Sequence, residues 1–173
     1  MATFTERMVR AARLDAAVYE EVEADTTATS QALGVVVLSS IAAGIGTGTG
    51  IGGIVAGIVI SLPAWYVWAF LTYWIGTRLL PEPQTSSSHG ELLRVIGFAA
   101  APGVIRVLGV VPFLRGLVFL VAAVWMLIAG IIAVRQALDY RSTGRAVVVV
   151  LIGWIVQWLI MIILLSLLRH PAF

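Results

Sequence analysis

One short run in the sequence is spaced for phosphate. Gly48-Thr49-Gly50-Ile51-Gly52-Gly53 satisfies G-x-G-x-x-G, in which glycine backbones approach a pyrophosphate at a helix N-terminus. Such a site also needs a buried strand before it and an acidic residue some 20 positions after it. Here the run lies inside an uncharged apolar stretch and the next acid is Glu82, so dinucleotide chemistry does not follow. The remaining reactive inventory is thin. Cysteine is absent, which removes disulfides, thiolate metal sites and thiol nucleophiles. His89 and His170 fall in a polar loop and at the C-terminus. The interiors of the apolar runs contain no Asp, Glu or His, leaving no intramembrane proton relay, carboxylate pair or metal cluster. The sequence therefore predicts no catalytic residue, no cofactor and no metal site.

The same glycines suit lipid better than nucleotide. Gly44, Gly48 and Gly52, and again Gly53 and Gly57, have the small-xxx-small spacing that lets helix backbones approach closely in a bilayer. They predict tight helix packing or self-association; a flexible glycine hairpin fits the same run. A second candidate is the stretch with Gly97, Pro102, Gly103, Arg106 and Pro112. Proline and glycine leave backbone groups unpaired there, and Arg106 and Arg115 bracket the break. That arrangement could bind an anion or a lipid headgroup beside a broken helix. Alternatively both arginines snorkel to a headgroup layer.

The elements that position these residues follow from composition. Apolar residues make up 60% of the 173-residue chain and charged residues 12%, against roughly 25% charged in a soluble domain. A chain of this size cannot hide that much apolar surface from water. The fold class is therefore an all-α integral membrane bundle of about five transmembrane helices, preceded by an amphipathic N-terminal helix. From Thr26 to Thr77 no residue is charged, long enough at 1.5 Å per residue to cross a ~30 Å core twice. The break falls in 44–50, giving spans near 28–46 and 53–76, with Pro63 inside the second. Ser88 and Glu91 have capping-box spacing and start a span near 91–112. Spans near 116–134 and 146–168 follow.

Residues 1–25 form a separate polar, amphipathic segment, and the chain's first apolar run begins only near residue 31, unlike a cleavable signal peptide. Thr3 and Glu6 have capping-box spacing. Phe4, Met8, Ala11, Leu14, Val18, Tyr19 and Val22 share one helical face over 3–23, with Asp15 its one flaw. Arg7, Arg10 and Arg13 flank that face and predict a helix lying on the membrane surface; a helix packed on the bundle is the other reading. Glu20, Glu21, Glu23 and Asp25 read as a solvated acidic end. Arg135, Arg141 and Arg145 anchor a later loop to anionic lipid, and Arg135 is spaced to pair with Asp139.

All eleven basic residues are arginine. With five spans, Arg7, Arg10, Arg13, Arg78, Arg94, Arg135, Arg141 and Arg145 share the N-terminal side, and Arg106, Arg115 and Arg169 the other. That excess places the N-terminus in the cytoplasm. If 91–112 were a re-entrant hairpin, the division would again be eight to three, so arginine placement does not choose between the topologies. A net charge of +2 is too small and scattered for nucleic acid. Membrane lipids, other membrane proteins and further copies of the chain remain as partners.

The order of features resembles the Yip1 domain family of multispanning membrane proteins. Gly97-Phe98-Ala99-Ala100-Ala101-Pro102 is similar to the family's Gly-aromatic-…-Pro at the third span. Pro112, Val124-Trp125-Met126 and Ala133-Val134-Arg135-Gln136-Ala137-Leu138 follow in the family's order. The stretch 19–25 looks like bacterial members. The resemblance implies a five-span domain over 26–173, a cytoplasmic N-terminus and a bacterial cytoplasmic membrane. It implies a non-catalytic scaffold, assembly or lipid-organising factor, with a small transporter or channel component as the alternative. Eukaryotic relatives bind Rab GTPases, but their acidic-Leu-Tyr-Gly-Pro motif before the first span is missing from this sequence.

Overall fold

The computed structural model describes residues 2–169, helical throughout apart from short connections. The N-terminal segment folds as two helices, α1 (Phe4–Ala12) and α2 (Ala16–Ala24). Thr3 and Glu6 close the capping box at the start of α1, the Glu6 amide donating to Thr3 Oγ1 and the Thr3 amide to Glu6 Oε2. The expected single helix over 3–23 is broken at Leu14, which takes a left-handed φ of 63°. Asp15 then caps α2 by accepting from the Ala17 amide at 3.1 Å. The one flaw in the amphipathic pattern is thus a helix start, the role a short carboxylate plays best.

Five apolar helices follow. These are α3 (Ala28–Thr47), α4 (Gly50–Trp74) continued by a π-helical turn Ile75–Leu79, α5 (His89–Ala99) continued by a 3-10 segment Ala101–Val110, α6 (Arg115–Ala137) and α7 (Thr143–Arg169). The turn from α3 to α4 is made by Gly48 and Gly50 at φ 68° and 67°, a conformation that costs other residues energy. Ser88 and Glu91 cap α5 reciprocally. Pro63 sits inside α4 without ending it. Five segments are long and apolar enough to cross a membrane: 28–47, 50–79, 89–110, 112–137 and 143–160.

The third segment runs in one direction along the bundle. Room for a Cβ is closed off by Ala32 at Gly97, by Ser39 at Gly103 and by the Arg106 carbonyl at Gly46, so the chain runs parallel to α3. From Ala32 to Gly46 is about 21 Å of helix. A re-entrant hairpin would turn back before that distance, whereas this segment keeps one direction along α3.

The two ends of the bundle are built differently. At the N-terminal end α5 is the axis, with Leu92, Val95, Ile96, Phe98 and Ala99 all buried. The α1–α2 hairpin lies on protein, fastened to three spans. Trp125 Nε1 donates to the Ala12 carbonyl at 2.8 Å, Gln136 to Glu20 at 2.6 Å, and Arg94 to the carbonyls of Val22 and Glu23. Arg7, expected at the membrane surface, points inward instead. It is 4% exposed and pairs with Glu21 at 2.9 Å and Asp25 at 2.8 Å while donating to Gln31 at 3.1 Å. The acidic end of α2, expected to be solvated, is therefore the counter-charge of a packed hairpin. Arg10 joins it through Asp15 and Glu21, both at 2.7 Å.

Arg135 does not pair with Asp139; its Nε donates to the Tyr140 carbonyl, closing the end of α6. Arg145 ties the two loops of this end together through the Pro81 carbonyl at 2.7 Å and Glu82 at 3.5 Å. Arg13 and Arg141 are exposed.

Candidate functional site

At the far end the axis is missing. Pro102 has no amide hydrogen to continue the α-helical ladder, and after Ala100 the chain tightens into ten residues of 3-10 helix. Runs beyond three or four residues are uncommon because the hydrogen-bond geometry is poorer. This one is held by close approach to its neighbours: Gly46 of α3 admits the Arg106 carbonyl, and Gly109 admits Phe119 of α6. Packing against α3 and α6 takes the segment away from α4 and α7. Between α3, α4, α7 and the end of α5 is a cavity of about 550 Å³, within the range of small-ligand sites.

The cavity floor is the end of α5, at Ile96, Ala99 and Ala100. One wall is a stripe of α4 at four-residue spacing, Thr49, Gly53, Gly57 and Ser61, continuing to Trp65 and Trp68. Ser39, Ser40, Gly44 and Thr47 face it from α3, and Met126, Trp154 and Gln157 from α6 and α7. Trp154 and Thr49 are exposed on the outside of the bundle, so the cavity is open to the outside beside α7 and at the α3–α4 turn. The far halves of α4 and α7 beyond it are exposed as well, with Val59, Ile60, Ile155 and Trp158 more than half accessible.

Most of the lining is apolar, and its polar members are placed with care. The Ser40 and Ser61 hydroxyls meet at 2.7 Å between α3 and α4. Trp65 Nε1 donates to the Leu93 carbonyl. Gln157 Nε2 donates to the Ala64 carbonyl at 3.3 Å, while its Oε1 is buried without a partner; Trp68 Nε1 is also buried without one. Trp68 reaches this position because Gly130 of α6 and Gly153 of α7 leave room for its ring.

Arg106 does not snorkel. Its carbonyl lies beside Gly46 near the far end of α3. Its guanidinium reaches back to Ser39, donating Nη2 to the Ser39 carbonyl at 2.9 Å and hydroxyl at 2.6 Å, and Nε to Gly103 at 2.9 Å. Ser39 precedes Gly46 by seven residues of helix, so the charge points back into the bundle and not toward the far end. No carboxylate meets it among the described residues, whereas Arg7, Arg10 and Arg145 each have one. Arg115 behaves as a surface residue, exposed and donating to the Gly109 carbonyl.

Compared with known families, residues 21–166 match the Yip1 domain. This chain belongs to the Yip1 domain family. No curated protein and no solved structure matches it significantly. The Yip1 match takes in the last residues of α2, all five apolar segments and every cavity residue.

The predicted residues divide accordingly. Gly97, Pro102, Gly103 and Arg106 come together where α5 gives way to the 3-10 segment, and Pro112 begins the short turn into α6. Gly44 meets Ile54 across the α3–α4 contact, and Gly48 makes the turn. Gly53 and Gly57 line the cavity, and Gly52 and Gly57 have open space where a Cβ would point. Ser39, Ser61, Trp68 and Gln157 were not predicted. Gln157 carried a signal, as the single amide side chain of α7. His89, expected in a loop, is in the first turn of α5 with its ring edge-on to Tyr66 at 4.7 Å. His170 lies outside the described residues.

Proposed function

We propose that this Yip1-domain protein is a non-catalytic lipid-organising factor that takes a membrane component into its bundle. The cavity beside the broken third helix carries the reading. It is open to the outside beside α7 and at the α3–α4 turn, floored by the packed N-terminal end, and lined mostly by apolar side chains with a few fixed polar groups. Such a lining suits a molecule that is apolar over most of its length and polar at one point. No constellation of nucleophile, base or acid faces the cavity. The excess of arginine at the N-terminal end supports a cytoplasmic placement of the α1–α2 hairpin in a bacterial membrane. The exposed far halves of α4 and α7, with Gly52 facing outward, suit contact with other membrane helices or a second copy.

Extraction of the tagged protein directly from its membrane into polymer-bounded discs, followed by lipid and protein mass spectrometry, tests this. One lipid class enriched several-fold over the surrounding membrane, at near-stoichiometric amount, is the expected result. Bulk lipid composition in every preparation would overturn it.

Transport through the broken third span is the second reading, favoured by the position of Arg106 inside the bundle. It requires a path past Ile96, Ala99 and Ala100, which close the cavity floor. Single cysteines replacing Ala99, Ala100 and Ala101 in this cysteine-free chain should then react with water-soluble reagents from one side and become protected when a solute is added. Uniform protection would remove the transport reading.

A further inference from the structure

We infer that Arg106 is the anchor of a binding site for an anionic amphiphile, a molecule with one carboxylate or phosphate head and an apolar chain. The inference rests on the lipid-organising reading and names the chemistry its ligand must have.

An arginine inside a bilayer is expensive and is ordinarily matched by a carboxylate or turned to the interface. Arg106 does neither. Three hydrogen bonds from Nε and Nη2 fix the plane of its guanidinium against Ser39 and Gly103, while Nη1 has no acceptor among the described residues. The group is thus oriented before any ligand arrives, and Arg106 is part of the cavity lining. Preorganised guanidinium is the side chain best matched to planar carboxylate and to phosphate oxygens. The close packing around it is specific. A side chain at Gly103 would collide with the Ser39 hydroxyl, with Arg106 and with Met126, so a bulkier residue there would displace the charge.

Independent evidence comes from the opposite wall. Trp68 and Gln157 line the same cavity, and Trp68 Nε1 and Gln157 Oε1 are both buried without partners, a state that costs about 1–3 kcal/mol per group. The chain of the ligand has a track. Gly53 and Gly57 present bare backbone to the cavity, and the stripe continues past Thr49 to the open far end. Soluble anions meet the charge requirement but leave that apolar track empty, which is why a membrane amphiphile is favoured over free phosphate.

Native mass spectrometry of the full chain, stripped of lipid in a non-ionic detergent, tests the assignment. Its probes are oleate, dioleoyl phosphatidic acid, oleyl alcohol and inorganic phosphate. Wild type should retain one oleate or one phosphatidic acid at least tenfold more tightly than oleyl alcohol. Arg106→Gln should fall to the alcohol's level, and Arg106→Lys should keep part of the preference. Gly57→Leu guards against misfolding as an explanation. Its new side chain enters open space rather than packed protein, and it should abolish retention of all three lipids while leaving thermal stability at or above wild type. Equal retention of oleate and oleyl alcohol, unchanged in Arg106→Gln, would overturn the anionic assignment and leave the lipid-organising reading standing. Retention of no lipid would overturn both. Saturation by millimolar inorganic phosphate, with no added affinity from a chain, would make this a soluble-anion site and overturn the amphiphile.

Discussion

Arg7 and Arg106 are both drawn into the protein, one at each end of the bundle, and their surroundings differ in kind. Arg7 has two carboxylates and an amide within 3.1 Å, and everything around it is packed: the hairpin, the start of α3 and the axis formed by α5. Arg106 has only a serine and a glycine carbonyl, and beside it is empty volume. A buried charge that its own fold neutralises serves structure. A charge left unneutralised next to a cavity is incomplete without something from outside, and both the charge and the space lie beside the break in the third helix. The bundle thus divides into an end that holds the fold together and an end that is organised for a guest.

The sharpest test of that division is to remove the structural charge. Arg7→Met leaves Glu21 and Asp25 without their inward partner and frees the hairpin from α3. It should lower stability by about 2 kcal/mol, roughly 4–8 °C in Tm for a chain of this size. Thermal unfolding in detergent measures it, and an unchanged Tm would break the comparison. A smaller loss is expected at Tyr140, whose hydroxyl donates to the carbonyls of Gly76 and Leu80 at 3.0 and 2.8 Å. Those carbonyls end the π-helical turn of α4. Tyr140→Phe should cost about 1 kcal/mol, with faster amide exchange confined to residues 76–81.

The packed end should also respond to pH, more weakly. Glu23 is pushed up to about 7, first by burial and then by Glu91, Asp139 and Glu20, against the opposing pull of Arg94. Its folded pKa lies above the ordinary 4.5, so its stabilising contribution is complete below pH 4.5 and is lost as pH rises through about 7. Asp25 runs the other way. The Thr27 hydroxyl and then Arg7 hold it at about 2, so its contribution is lost only in strong acid. Between pH 5 and 8 the hairpin should therefore loosen with rising pH through Glu23. Exchange of α2 amides, corrected for intrinsic rates, should quicken across that window in wild type and stay flat in Glu23→Gln. Partial exposure of Glu23 keeps the effect below about 1 kcal/mol.

How far the sequence carries one toward this picture depends on which half is asked about. The membrane class, the positions of the five spans, the Gly48–Gly50 turn and both capping boxes are legible because each rests on local chemistry: hydropathy, left-handed glycine, a hydroxyl three residues before a glutamate. The break at Leu14–Asp15 was also written locally, as an acid on an apolar face, but a lone polar residue in a helix pattern has several meanings. Arg7 and the acids of α2 are separated by 14 and 18 residues, and nothing in a linear reading tells a paired arginine from a snorkelling one. The cavity was half legible. Pro102, Gly103 and Arg106 announced a broken helix, but Ser39, Ser61, Trp68 and Gln157 sit on three other helices. Ser61 and Trp68 share α4 while Ser39 and Gln157 stand on α3 and α7, and the four become a site only when packing brings them to one space.

The least effect of all is expected where the second arginine is removed, and its smallness is the point. Replacing a buried ion that has no counter-charge by an apolar side chain of similar length removes a desolvation cost as well as three hydrogen bonds, and such exchanges are often neutral or stabilising. Arg106→Met, in protein stripped of lipid, should unfold within about 1 kcal/mol of wild type or above it. Arg7→Met fails that standard under the same conditions. Added oleate should then raise the Tm of wild type and of Arg7→Met by a similar margin and leave Arg106→Met where it was, since a ligand stabilises only the folded state that binds it. A large loss from Arg106→Met without ligand would mean that its bonds to Ser39 and Gly103 are structural in their own right. The far end would then be a second packed region that happens to contain a void.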